Sequence, residues 1–149
     1  AGLGEGTTVN VPLPGGAGDK AILRAFRDIL VPAAAWFQPD LILVSAGFDA
    51  HRLDLCLNVS YEGFAAMTEI VRSLADQHCE GRLALVLEGG YHLESLSQGV
   101  HTVLQVLAGG EAPTPEEIGL AEVAAASDFH KTAFTSDSPL TEAQPPTEH

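Results

Sequence analysis

Two short, unbroken apolar runs constrain this chain more than any other feature. Leu41-Ile-Leu-Val-Ser45 and Leu83-Ala-Leu-Val-Leu87 are each one strand long, and neither alternates with polar residues. A strand with no polar face is covered on both sides, which is the pattern of a parallel sheet between helices. Between the runs, Ser60 is placed to cap a helix over 61–78 with Phe64, Met67, Ile70, Val71 and Leu74 on one face, and Gly81 ends it. After the second run, Gly89-Gly90 turns the chain into a helix over 93–107. That helix is expected to point Leu93, Leu96, Val100, Val103, Leu104 and Leu107 inward and to stop at Gly109-Gly110.

Upstream, residues 1–7 read as loop, Thr8 to Leu13 has β character, and Pro14 to Gly18 is a turn. Asp19 is expected to cap a helix whose stripe is Ile22, Leu23, Phe26, Ile29 and Leu30, with Pro32 kinking or restarting it. The order is then β-α-β-α-β-α. It predicts an α/β fold, three-layer α/β/α, with a parallel sheet and right-handed crossovers. Ligands of such sheets bind beyond the carboxyl ends of the strands.

Both apolar runs carry reactive side chains at that end. The first continues Ala46-Gly-Phe-Asp-Ala-His51 and the second Glu88-Gly-Gly-Tyr91. A carboxylate just past a buried strand is rigidly held and reachable, so Asp49 suits a metal ligand; it equally suits a turn aspartate bonding its own backbone. His51 is a second donor or an ordinary loop histidine. Asp54 could orient His51, pair with Arg52 or simply be solvated. The Tyr91 phenol could donate to a developing oxyanion or pack over its turn. Glu88 could hold a loop amide. His78, His92 and His101 lack partners at ligand spacing. Gly15 to Gly18 lacks the Gly-Lys-Ser/Thr ending of a phosphate loop, and Ser45 lacks the surround of a nucleophile elbow.

Charge narrows the classes further. Twenty acids against seven bases give a net charge of −13, which argues against a nucleic-acid surface. No apolar run approaches the roughly 18 residues of a membrane-spanning helix. Cys56 and Cys79 form no paired motif and read as free thiols in a reducing cytoplasm. Residues 111–149 hold eight acids and one base, Lys131, and read as an acidic tail with a short helix over 115–126 and disorder over 135–149. The opening Ala1-Gly-Leu-Gly-Glu-Gly reads as mid-loop, so an amino-terminal part of the domain is expected outside the chain.

Val9-Asn-Val-Pro-Leu-Pro14, Gly18-Asp19, Val31-Pro32, Pro39-Asp-Leu-Ile-Leu-Val-Ser-Ala-Gly-Phe-Asp-Ala-His51, Glu62-Gly-Phe64 and Val86-Leu-Glu-Gly-Gly-Tyr91, in that order, resemble the histone deacetylase family. The likeness is to its class II members and bacterial deacetylase-like amidohydrolases. It implies an arginase-like α/β domain that hydrolyses acetyl-lysine or a related acetylamide with one Zn²⁺. It implies that residues 1–110 are the carboxyl-terminal part of a deacetylase catalytic domain. It also implies that Asp49 is the last of the zinc ligands, that Tyr91 is the tyrosine bonding the substrate carbonyl, and that Gly89 and Gly90 line the acyl channel. The family's other ligands, an Asp-x-His motif, and its paired catalytic histidines lie upstream and are absent here, so His51 is not a ligand on this reading. The family's Pro-Leu-Gly after Asp54 is replaced by Leu55-Cys-Leu-Asn-Val-Ser60, a shorter loop. Two other readings stand beside this one: an acetylpolyamine amidohydrolase, and a catalytically dead remnant used as an interaction module.

Overall fold

The computed structural model describes residues 6–115. Its elements run α1 (Asp19–Ala25), a π-helical turn (Phe26–Leu30), α2 (Val31–Phe37), β1 (Ile42–Ala46), α3 (Tyr61–Cys79), β2 (Leu83–Leu87) and α4 (Leu93–Leu107). The expected strand over Thr8–Leu13 forms no ladder among the described residues. Pro12 and Pro14 lack amide donors, and no neighbouring strand among the described residues meets this segment. The observed order is therefore α-α-β-α-β-α, and the helix 115–126 and disordered 135–149 lie outside the described residues.

β1 and β2 pair in parallel from Ile42↔Leu83 to Ala46↔Leu87. Helix α3 is the crossover between them, capped by Ser60, whose hydroxyl accepts the Gly63 amide at 3.0 Å. Helix α3 packs on β1, and α1, α2 and α4 pack on α3. Phe48, Phe64, Val59 and Val103 form the core there, with Leu85, Met67 and Ala46 packed against them. Burying each such large side chain contributes roughly 1.5–3 kcal/mol. On the opposite face Leu43 and Val86 are 68% and 59% exposed. The second covering layer of the three-layer fold is not among the described residues, which provide two strands and one layer.

The first helix breaks where the proline predicts. Pro32 has no amide for the carbonyl of Asp28, and its ring crowds that carbonyl. The backbone widens into the π-helical turn and restarts at α2 with Pro32 in its first turn. Asp19, in contrast, does not cap α1; Gly18 stands at that position. Asp19 is buried and reaches across the sequence, accepting the Ser60 amide at 2.8 Å and the Ser60 hydroxyl. A carboxylate taken out of water must be paired in this way. On helix α4 the expectation holds for Leu96, Val100, Val103 and Leu107, which pack in or against the core, and fails for two leucines. The inner line of the helix is Ser95, Gly99, Val103 and Val106, whereas Leu93 and Leu104 are exposed. The Phe48 ring lies so close to Gly99 that a methyl there would come within 2.5 Å of it. Small residues therefore face inward at Ser95 and Gly99, beside Leu96 and Leu107.

Gly63 gives a direct test of the clamp between α1 and α3. A methyl on Gly63 would sit 2.2 Å from Asp19 Oδ1 and 3.0 Å from Val59 Cγ1. Gly63→Ala must displace the Asp19–Ser60 pair and is expected to destabilise the fold by on the order of 3 kcal/mol. Urea denaturation measures it, and an unchanged midpoint would contradict the packing described.

Candidate functional site

The two strands end level, and their ladder continues beyond them. The Glu88 amide donates to Ala46 O at 3.0 Å, and the Phe48 amide to Gly89 O at 2.8 Å. Gly47-Phe48-Asp49 and Glu88-Gly-Gly-Tyr91 therefore run side by side at the carboxyl end of the sheet. Phe48 anchors the first segment: it is 3% exposed and packs on Phe64 with ring centroids 5.1 Å apart. With Phe48 buried, the next side chain, Asp49, is left half-buried at the rim.

The Asp49 carboxylate lies over Gly89. A Cβ on Gly89 would fall 2.6 Å from Oδ2, and one on Gly47 3.0 Å from Oδ1. Two glycines thus make the floor under this carboxylate, and a larger residue at Gly89 would expel it. Asp49 holds the loop through its backbone, accepting the Leu55 amide at 3.2 Å. Among the described residues nothing hydrogen-bonds or ion-pairs with its carboxylate oxygens. The turn-aspartate alternative requires such a bond, and the described residues supply none.

Gly90 has φ 138, and a Cβ there would meet Leu96 Cδ1 at 2.9 Å. Only glycine makes this bend without strain. The bend delivers Tyr91 to the surface, 71% exposed, so the packing alternative for its ring does not hold. His92 follows as the cap of α4, its Nδ1 accepting the Ser95 amide at 3.3 Å.

Three residues take roles other than those expected. Asp54 neither pairs with Arg52 nor bonds His51 through its side chain. Its Oδ2 accepts the Tyr91 amide at 2.6 Å and the His92 amide at 2.9 Å. The His92 amide, helped by the Tyr91 amide, holds its carboxyl below the ordinary range against desolvation, which opposes it more than the Tyr91 amide alone assists. The folded value lies below the unfolded one. The contact therefore contributes stability above the ordinary carboxyl pKa and loses it as pH falls through the folded value. His51 is fully buried and stacked on Tyr61 at 4.3 Å, and its Nδ1 accepts the Leu53 amide at 3.3 Å. Burial, with Arg52 and His92 nearby, lowers its pKa below the usual imidazole value. Glu88 is exposed and binds no loop amide through its side chain. No local signal marks Asp54: its partners lie in a distant turn.

Among the described residues, no group of three or more His, Cys, Asp or Glu side chains could hold a metal ion. Asp49, open over its glycine floor, fits one ligand of such a site and not a whole one. Both cysteines are free, Cys56 exposed and Cys79 buried. No described helix is long and apolar enough to cross a membrane.

A family model described as histone deacetylase domain matches residues 1–107. The chain belongs to the histone deacetylase family. This deacetylase-family chain is 43% identical over 141 residues to "Histone deacetylase 14, chloroplastic" of Arabidopsis thaliana, across 93% of its own length and 30% of that protein's. It is 45% identical over 118 residues to "Polyamine deacetylase HDAC10" of Mus musculus, across 77% of this chain and 17% of that protein. Its fold is similar to the crystal structure of the HDA15 HD domain, with TM-score 0.73 and 38% identity over 94% of this chain and 38% of that one. It is likewise similar to the histone deacetylase Clr3, with TM-score 0.77 and 34% identity over 87% of this chain and 22% of that one. The architecture is thus the arginase/deacetylase fold, and the chain is a partial domain. It spans less than a third of the length of these curated relatives.

Proposed function

We propose that residues 1–110 are the carboxyl-terminal part of the catalytic domain of a zinc-dependent deacetylase acting on acetyl-lysine or a related acetylamide. The observation that carries this reading is the pairing of an open carboxylate, Asp49, with an exposed phenol, Tyr91, at the shared end of one ladder. Asp49 would hold a Zn²⁺ ion together with ligands from outside this chain. When bound, zinc supplies Lewis-acid polarisation of the acetyl carbonyl and an acidified water. Tyr91 donates its phenolic proton in a hydrogen bond to the substrate carbonyl oxygen and follows it as negative charge develops there. Gly89 and Gly90 offer no side chains, which leaves an acyl chain room to pass between the two loops. The bare apolar face at Leu43 and Val86 supports a missing amino-terminal part of the same domain as its cover.

The substrate carries an acetyl group in amide linkage to a lysine side chain or, as the polyamine deacetylase relative suggests, to a polyamine. The net charge of −13 supports no direct nucleic-acid contact, and the free thiols support a reducing compartment, the cytoplasm on this reading. The acidic stretch 111–149 is a tail to this domain. A single ligand does not retain zinc at useful affinity. The isolated chain is therefore expected to purify without zinc and leave acetyl-lysine peptide intact, while the full-length protein carries one zinc per chain and cleaves it. Stoichiometric zinc and cleavage by the isolated chain would sink this reading, and a full-length protein that holds no zinc and cleaves no acetylamide would favour the remnant instead.

A further inference from the structure

The turn that presents Tyr91 is held from outside itself. Gly89 and Gly90 allow the bend but give it no rigidity of their own, since glycine retains the most backbone freedom of any residue. Two consecutive amides at the exit of this bend, those of Tyr91 and His92, converge on one oxygen, Asp54 Oδ2, at 2.6 and 2.9 Å. Bonds from amides to an ionised oxygen are roughly twice as strong as neutral ones. The same charge lies beside the first turn of α4, where the helix dipole favours an anion.

Asp54 is itself fixed. Its amide donates to His51 O at 2.9 Å, within a loop braced by Arg52 N to Val59 O and Val59 N to Ala50 O, each at 3.1 Å. His51 roots that loop by being fully buried. One loop therefore carries both the Asp49 carboxylate and the anion that holds the tyrosine turn. We infer that Asp54 is a positioning residue: by gripping the amides of Tyr91 and His92 it sets where the Tyr91 phenol stands relative to Asp49. This rests on the reading of Tyr91 as the donor to the substrate carbonyl. Asp54 touches no reacting atom on this account. Its effect passes through the tyrosine.

The test uses the full-length zinc-loaded protein and an acetyl-lysine peptide, with Asp54→Ala, Asp54→Asn, Tyr91→Phe and the double variant Asp54→Ala/Tyr91→Phe. A displacement of about 1 Å at a catalytic group costs ~10²-fold. Asp54→Ala is expected to lower kcat by roughly 10- to 100-fold, with KM and zinc content close to wild type and a melting midpoint lowered but still well above the assay temperature. Asp54→Asn keeps an acceptor oxygen and is expected to recover most of that loss. In the double variant, Asp54→Ala is expected to add little to the loss from Tyr91→Phe, because both act through one group. Wild-type kcat in Asp54→Ala beside a disabled Tyr91→Phe overturns the inference and leaves the function reading intact. So does a loss in Asp54→Ala that tracks lost zinc or lost folding, or that multiplies fully with the tyrosine loss. Wild-type activity in Tyr91→Phe overturns the function reading itself.

Discussion

Asp49→Ala in the full-length protein is expected to empty the zinc site and reduce deacetylation to background. The proposed site draws its last ligand from this side chain, and a three-ligand site reduced to two loses most of its hold on the metal. The fold should hardly notice. Asp49 is half-buried, and among the described residues its carboxylate accepts no hydrogen bond that the substitution would strand. Metal analysis of the purified variant, its melting midpoint in chelator and its rate on an acetylated peptide separate the two effects. Wild-type zinc content and turnover would remove Asp49 from the metal site. A variant that fails to fold in chelator would give the carboxylate a structural role instead.

Tyr91→Phe is expected to keep zinc, substrate affinity and stability, yet lose about 10²–10³ in kcat, the usual cost of one oxyanion donor. The ring is 71% exposed, so exchanging it for phenylalanine disturbs no core packing. The backbone amide that Asp54 holds is untouched by the exchange. Only the hydroxyl is lost, and it matters most where charge develops on the substrate oxygen. Steady-state kinetics should show the change in kcat with KM nearly constant. A rate within a few-fold of wild type would leave the phenol without a part in the chemistry.

Most of the regular elements are legible in the sequence, because periodicity and caps are local properties. Ser60 and the apolar stripe behind it announce α3, and Gly89-Gly90 announces the turn before α4. The errors arise where a distant partner decides. Thr8 to Leu13 has a strand's composition, but a strand exists only where another one pairs with it. Asp19 has the composition of a helix cap, yet its partner is Ser60, far along the chain. Leu93 and Leu104 look like core, but the ring of Phe48 claims the side of α4 where Gly99 is. At the rim, Asp49 and Tyr91 were visible because each follows directly on a strand. Asp54 was visible only as a charge, since nothing local tells that two amides of another loop end on it.

The ladder that outlasts the strands also says where this architecture tolerates change. The Glu88-to-Ala46 and Phe48-to-Gly89 bonds join the two rim segments directly, without passing through the crossover helix between them. Lengthening the far end of that helix, around Glu80 and Gly81, lies at the opposite pole of the sheet from Asp49 and Tyr91. An inserted peptide or a grafted reporter there should leave the spacing of the rim intact. A single residue added between Ala46 and Asp49 would instead carry the carboxylate off its glycine floor. Variation and engineering have room at one end of the strands and none at the other.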